Sequence, residues 1–526
     1  MDTNNKEIQT YAEYQKAVQN IPQKIILDSK EVRIMKKQYP FFVIAAAVYA
    51  IFSTFCLYKN ASGIMAPIFV IGTFIYIFLC IRKLEIFIQK DNIFYLLSIM
   101  ILAFSLFLTD DAEIIVMNYL GIFLLIIIFM LHLFYQDKGW SFEKYVSVIG
   151  SLLIEIIAAL GAPFGYAREY RKENRNGENS AINRNIKNIA IGLGVAFPLL
   201  IIIMALLISA DRIFGDYILQ IAERIVIPEN LIGIFLLTIF IFFTSFCMIS
   251  ALSKKGIKEE IDDKRHQEAV IAITFTTILS FIYLIFCIVQ ILGLFLGEMK
   301  LPTGYSYAEY AREGFFQLLG VSLINQILVL ICLSYFKESR ILKGILSFIS
   351  LCTFILIASS AYRMILYINV YHLTFLRIFV LWALLVIFLI MIGILINIHK
   401  QSFSLFRYSM VVVTMLYICF AYSHPDYLIA KYNVNAIQNE VEKMELTKYY
   451  DSNYLFRLSS DAAPVLLEYS KSKDSSIMDY EIEDMNHYFQ HIEEDYQNMN
   501  FRSFNLSRYI AGKIYHKESV EKAVGA

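Results

Sequence analysis

Hydrophobic positions in this chain come in unbroken blocks, not in stripes. Stretches such as IAIGLGVAFPLLIIIMALLIS and FLRIFVLWALLVIFLIMIGILINI are apolar on every face. They show neither the 3.6-residue period of a helix on a soluble core nor the strict alternation of a β-barrel strand. About 20 apolar residues of helix cross a bilayer core of about 30 Å. The pattern therefore predicts an all-α polytopic transmembrane helical bundle.

Eleven blocks predict spans, at 40–58, 63–81, 93–109, 113–135, 188–209, 231–252, 270–297, 317–336, 342–367, 375–398 and 405–421. A further apolar stretch, 145–164 (YVSVIGSLLIEIIAALGAPF), carries Glu155 at its middle, where an acid costs about 2.5–3.5 kcal/mol on insertion scales. The basic residues decide its parity. If 145–164 does not cross, the loops on the N-terminal side hold 28 Lys and Arg and the opposite short loops hold five: Lys59, Arg212, Arg224, Lys300 and Arg312. Cytoplasmic loops attract Lys and Arg, so this asymmetry predicts a cytoplasmic N-terminus, an extracytoplasmic C-terminus, and an interfacial or re-entrant helix at 145–164.

Five parts follow: a cytoplasmic tail (1–39), a first helical group (40–135), a cytoplasmic linker with the interfacial helix (136–187), a second helical group (188–421) and an extracytoplasmic helical segment (422–526). The basic run at 168–187 anchors the inside face, with anionic-lipid contact as a further role. The last segment carries 17 Asp and Glu against 11 Lys and Arg. SSDAAPVLLEYS reads as a helix capped by Asp461 with Pro464 in its first turn, and YEIEDMNHYFQHIEEDYQ has apolar residues at helical spacing. At this length the segment is expected to pack on the membrane domain. The 39 residues ahead of the first block lack a signal-peptide core, so the first span is expected to act as an uncleaved signal.

Composition narrows the chemistry. Of the residues, 58% are hydrophobic and 17% charged, with net charge zero, so nothing points to nucleic acid, and the partner called for is the lipid bilayer. The seven cysteines all lie in apolar runs without CxxC spacing and read as packing residues. No P-loop, dinucleotide-binding, HExxH or GxSxG motif is present, which argues against an embedded ATPase, kinase or zinc protease. No cofactor is implied; His487 and His491 are four apart but lack a glutamate at zincin spacing.

The expected topology collects one charged group at the outer face. SADRIFGDY brings Asp211, Arg212 and Asp216; YAEYAREGFF brings Glu309, Arg312 and Glu313; Arg363 and Arg377 lie near the outer ends of two spans, with Tyr367 and His372 between them. Arginines at such depth pair with acids, bind an anionic group, or snorkel and brace helix ends. Asn325 and Gln326 sit near mid-span; adjacent helical residues diverge by about 100°, so interhelical hydrogen bonding competes with a polar path as their role. Pro67 and Pro198 are expected to kink their helices.

The blocks SADRIFGDYI, YAEYAREGFFQLLGVSLIN, RMILYINVYHLTFLR, HPDYLIAKYNV, YLFRLSSDAAPVL and FRSFNLSRY resemble a bacterial polytopic membrane family, the domain of unknown function 4173, related to 4153. The resemblance covers about 188–526; the first helical group matches in hydropathy only. It implies a bacterial plasma-membrane protein and no defined activity. Two positions depart from the pattern: His424 stands where it has asparagine, and His372 where it has glycine.

Three functional classes remain. The leading one is transport or binding of an anionic solute or lipid head group at the outer cluster, with a cavity reaching toward Asn325 and Gln326. Another is a sensor or assembly scaffold that engages a membrane-protein partner through its C-terminal segment. The third is an enzyme on a lipid-linked substrate, with Glu309, Glu313 or Asp211 as acid-base groups.

Overall fold

A computed structural model describes residues 28–89, 92–137, 139–173, 203, 207, 229–256, 265–292, 307–400, 402–442, 452–472 and 479–525. Every regular element among them is helical. The membrane-spanning length is built from α2 (Tyr39–Leu57), α3 (Met65–Lys83), α4 (Ile93–Leu108), α5 (Ala112–Phe134), α8 (Glu229–Ser253), α9 (Ala269–Gln290), α10 (Tyr307–Tyr335), α11 (Arg340–Tyr371), α12 (Phe375–His399) and α13 (Leu405–Ala421). A short α1 (Lys30–Lys37) precedes them, and α6 (Phe142–Ala158) and α7 (Ala162–Glu173) intervene. After α13 come α14 (Pro425–Glu442), α15 (Ser452–Leu455), α16 (Ala463–Ser472), α17 (Asp479–Gln497) and α18 (Leu506–Gly525).

Nine helices among the described residues are long and apolar enough to cross a membrane, or ten if α13 and the start of α14, bent by 56°, form one span. The protein is thus a multi-pass integral membrane protein built as a helical bundle. Ten of the eleven expected spans coincide with helices, and 188–209, apart from Ile203 and Leu207, lies outside the described residues. Pro67 does not kink a helix interior. It occupies the first turn of α3, where the missing N–H has no intrahelical partner to lose. Pro198 lies outside the described residues.

Contacts sort the helix ends onto two faces. On one, which we term the N-terminal face, Ser29 Oγ donates to the Ser253 carbonyl, Lys255 pairs with Glu31 at 3.0 Å, and the Gln267 amide donates to Tyr335 O. On the other, the C-terminal face, Lys59 Nζ reaches Asn230 Oδ1 at 2.6 Å, and residues 422–525 cover the loops after α2 and α4.

The segment 142–173 passes the length and hydropathy test for a span, yet all of its polar partners are on the N-terminal side. Ser334 Oγ donates to Glu143 at its start, Tyr166 Oη meets Ser250 Oγ at 2.8 Å, and Lys36 pairs with Glu169 at 2.7 Å near its end. Glu155, the residue that made a crossing costly, lies beside Gly256 just past the end of α8. A buried polar knot ties the start of α6 to the bundle. Asp137 accepts from Tyr145 Oη at 2.6 Å and meets His132, whose other ring nitrogen is 3.0 Å from Tyr95 Oη, while Tyr145 stacks on Phe406 at 3.8 Å. Burial pushes the Asp137 carboxyl up, but hydrogen bonds from His132 and Tyr145, with the charge on Arg407, hold it below the usual range.

The C-terminal segment has its own apolar core, including Ile429, Val434, Leu455, Leu466, Phe489 and Ile492. Pro464 sits in the first turn of α16, as the sequence leads one to expect. Of the seven cysteines, six are buried among apolar neighbours and Cys419 is exposed on α13; all are free.

Candidate functional site

The charged cluster predicted from topology is only partly visible. Asp211, Arg212 and Asp216 lie outside the described residues, as do the side chains of Glu309 and Glu313 on the first turns of α10. Arg312 is exposed on that helix.

Arg363 is buried, with 5% of its surface exposed. Its guanidinium points at Gln290 Oε1 from 3.5 Å, an oxygen that also accepts from Ser359 Oγ at 2.7 Å. It lies so close to Gly314 that a Cβ there would overlap its Nη1. One arginine thus fastens α9, α10 and α11 near the C-terminal face.

Arg377 serves the turn between α11 and α12. It donates to the carbonyls of Tyr371 and His372, and its guanidinium lies 4.6 Å from the centre of the Tyr367 ring. Those carbonyls end a helix, where a cation complements the macrodipole and caps unpaired acceptors. His372 has φ 62° and ψ −171°, a region essentially reserved for glycine, the residue that the resemblance noted in the sequence leads one to expect there. The conformation persists because it is gripped from both sides: Leu373 N and O each bond the Asn433 side chain at 2.9 Å. His424, where the pattern has asparagine, also has positive φ, 49°.

Asn325 and Gln326 face different neighbours, as their 100° divergence requires. Asn325 Nδ2 donates to Thr353 Oγ1 at 2.9 Å and its Oδ1 accepts from Tyr283 Oη at 2.7 Å; Gln326 Nε2 donates to Ile387 O at 2.7 Å. These bonds join α9, α10, α11 and α12, and both side chains are buried.

A second polar centre lies where the C-terminal segment meets the α4–α5 loop. Asp461 accepts from Thr109 Oγ1 at 2.5 Å and meets His424 Nδ1 at 3.1 Å, so its carboxylate faces the bundle and not the α16 terminus it was expected to cap. Asp110 accepts from Ser460 N at 3.1 Å, from Ser460 Oγ at 2.8 Å and from Arg508 Nε at 3.3 Å. Asp111 caps α5 through Ile114 N at 3.0 Å, while its Oδ2 meets no donor. Asp426 accepts from Ser459 N at 2.8 Å. Beside this junction opens a cleft of about 310 Å³ whose lining includes Asp110, Arg457, Ser460, Asp484, His487 and Asp495. His487 and His491 stack at 6.5 Å, and among the described residues no group of His, Cys, Asp or Glu has metal-site geometry.

Crowding and burial raise the proton affinity of Asp110, Asp111 and Asp426. Burial, then the Asp426 charge and Glu113, push the Asp111 carboxyl up to about 8; burial pushes Asp426 up to about 6. Burial and Asp461 raise Asp110, and the Asp461 hydrogen bond raises His424 against the effect of burial. In each case the folded state binds protons that the unfolded chain releases. The stability so contributed is complete below the ordinary carboxylate range and is lost as pH rises toward 8. Asp111→Asn keeps the cap without the charge. Its thermal midpoint in detergent is expected to match the parent near pH 3.5 and to exceed it increasingly as pH rises to about 8; parallel curves would remove Asp111 as the titrating group.

Sequence reasoning missed this junction because its acids sit in separate loops, about 350 residues apart. The local signal was the pair Asp110–Asp111 directly after a span, with polar, acid-containing turns at 424–426 and 459–461.

No curated protein and no solved structure matches the chain. A family profile described as a domain of unknown function (DUF4153) matches residues 96–469. The match is to the relative of the family that the sequence blocks resembled, and it starts within the first helical group, where only hydropathy was legible. It takes in Arg363, Arg377, Asn325, Asp111, Asp426 and Asp461. With most of its length matched, the chain belongs to the DUF4153 family of multi-pass membrane proteins.

Proposed function

We propose that the protein is a membrane-embedded scaffold or sensor whose C-terminal segment, held on the outward face of the bundle, recruits a partner carrying a basic segment. The observation that carries this reading is the way the segment is fixed and what it leaves free. Arg502 Nε donates to Phe55 O at 2.9 Å, Asn505 Nδ2 to Thr109 O at 2.9 Å, and Ile64 N to Phe504 O at 2.9 Å. Those bonds reach the last turn of α2, the α2–α3 loop and the α4–α5 loop, while α17 keeps Glu483, His487, Gln490, His491 and Glu494 exposed. The excess of Lys and Arg at the opposite face supports the outward assignment.

A photo-crosslinking residue at Gln490 in intact cells tests it. A discrete protein adduct is expected, disappearing in Glu483→Lys/Glu494→Lys at unchanged protein level. No adduct, or one indifferent to the charge reversal, would overturn the reading.

Binding or transport of an anionic solute or lipid head group retains one specific observation: Arg312 is exposed two residues from Gly314, at the same end of the bundle. Under that reading Arg312→Ala loses retention of added phosphatidylglycerol in detergent without a change in thermal midpoint; an equal retention rejects it.

A further inference from the structure

We infer that the segment 142–173 is a monotopic element that enters and leaves the bilayer on the N-terminal face, its exposed side occupied by the lipid of that leaflet. The inference is independent of the scaffold reading.

The segment is divided by face. Tyr145, Val148, Leu152, Ala159, Pro163 and Tyr166 are buried against the bundle. At the complementary three-to-four spacing, Val146, Leu153, Ile154, Ile157, Leu160 and Phe164 are 42–69% exposed. An apolar stripe of this length on a surface helix must be covered.

Three observations name lipid as its cover. First, both ends are tethered to one face: Glu143 to Ser334 and Glu169 to Lys36. Second, the contacts between those ends stay close to that face. Glu155 is level with Gly256, Cys247 Sγ then donates to Ala159 O at 3.2 Å, the Phe164 ring lies 6.0 Å from Phe243, and Tyr166 is back at Ser250. Phe243 is ten residues before the end of α8, about 15 Å along a helix, so the deepest contact falls well short of an opposite face about 30 Å away. The 3₁₀ turn Ala159–Gly161 joins α6 to α7. Third, α8, which the segment contacts through Phe243, is itself an exposed apolar helix, with Leu236 and Phe240 60% and 66% exposed. It ends in exposed Arg168, Arg171 and Lys172, placed to meet anionic head groups.

The arrangement also bears on how Glu155 is tolerated in an apolar run: it lies beside Gly256, just past the end of α8.

Two measurements on the full chain test the inference. Lys144→Cys and Lys172→Cys, each probed in cells with a membrane-impermeant thiol reagent, are expected to label together, from one side only; labelling from opposite sides means the segment crosses and the inference fails. Tryptophan at Ile154 or Phe164 is then read in proteoliposomes of brominated phosphatidylcholine and phosphatidylglycerol, with the parent signal subtracted. Bromine near the head group is expected to quench the added fluorescence more than bromine near the chain end. The reverse order places the segment at the bilayer centre, and absence of quenching means that water or protein covers the stripe; either result overturns the proposal. The thiol measurement remains decisive if a tryptophan variant fails to fold.

Discussion

Gly63→Ala is expected to detach the C-terminal segment from the bundle while leaving the protein in the membrane. Gly63 has φ 112°, a conformation whose cost for an L-residue is about 1–2 kcal/mol from Cβ sterics alone. Added to that, a Cβ would stand 2.7 Å from Phe504 O and 3.2 Å from its carbonyl carbon. Backbone atoms cannot rotate aside as a side chain can, and this carbonyl is fixed by Ile64 N at 2.9 Å, while Gly63 N itself donates to Leu106 O at 2.8 Å. The methyl therefore breaks the contact at the point where the α2–α3 turn, the end of α4 and residues 503–505 converge. Hydrogen exchange should show lost protection at Phe504 to Arg508 with α5 and α12 unchanged. Unchanged protection at Phe504 would mean that the segment is held by Asp461 and Arg508 without this contact. The scaffold reading makes a linked demand: the adduct at Gln490 should weaken in the same variant.

The second large effect separates the two roles open to a deep arginine. Arg363→Ala should destabilise the bundle by about 2–4 kcal/mol, through the loss of a large buried side chain and of a charge-assisted bond to Gln290. Gly314→Ala should also be costly in the parent, because the guanidinium that its methyl would overlap is enclosed and cannot swing into solvent. In the Arg363→Ala background the same methyl enters vacated space. The double variant should therefore be no less stable than Arg363→Ala, with a coupling of about 1–3 kcal/mol by thermal unfolding in detergent. Additive effects would show that the two residues do not meet. If Arg363→Ala instead left stability intact and abolished a ligand's retention, the anionic-ligand reading would replace helix fastening as the purpose of this residue.

The same contrast runs through the predicted charged cluster. Topology could say that Arg363 and Arg377 lie near one face, because rise per residue and a charge count fix depth. It could not say that Arg377 turns back on the carbonyls of Tyr371 and His372, or that Arg363 selects Gln290, since those outcomes depend on which neighbouring helix presents an acceptor. Asn325 and Gln326 were legible as interhelical donors facing different ways, but not their partners Thr353 and Ile387. The acids of the C-terminal junction were invisible as a group: Asp461 read only as a helix cap, and nothing along the chain linked it to Asp110. Only the His372 and His424 departures carried a local trace of backbone geometry, since glycine and asparagine are the residues that tolerate positive φ.

What the residues dictate along the chain is the solvent each block can inhabit. Runs of apolar side chains with no polar face require lipid, backbone hydrogen bonding in lipid requires helix, and the Lys and Arg asymmetry orders the loops; helix class, span positions and the anomaly at 142–173 all follow from nearest neighbours. Tertiary structure decided which of those helices touch. It laid 142–173 along one face although its hydropathy permits crossing, because Glu143 and Glu169 find their partners on the same side and Glu155 lies beside Gly256 there. It also closed residues 502–508 over loops some 400 positions earlier, through backbone carbonyls at Phe55, Leu106 and Thr109 that no side-chain pattern announces.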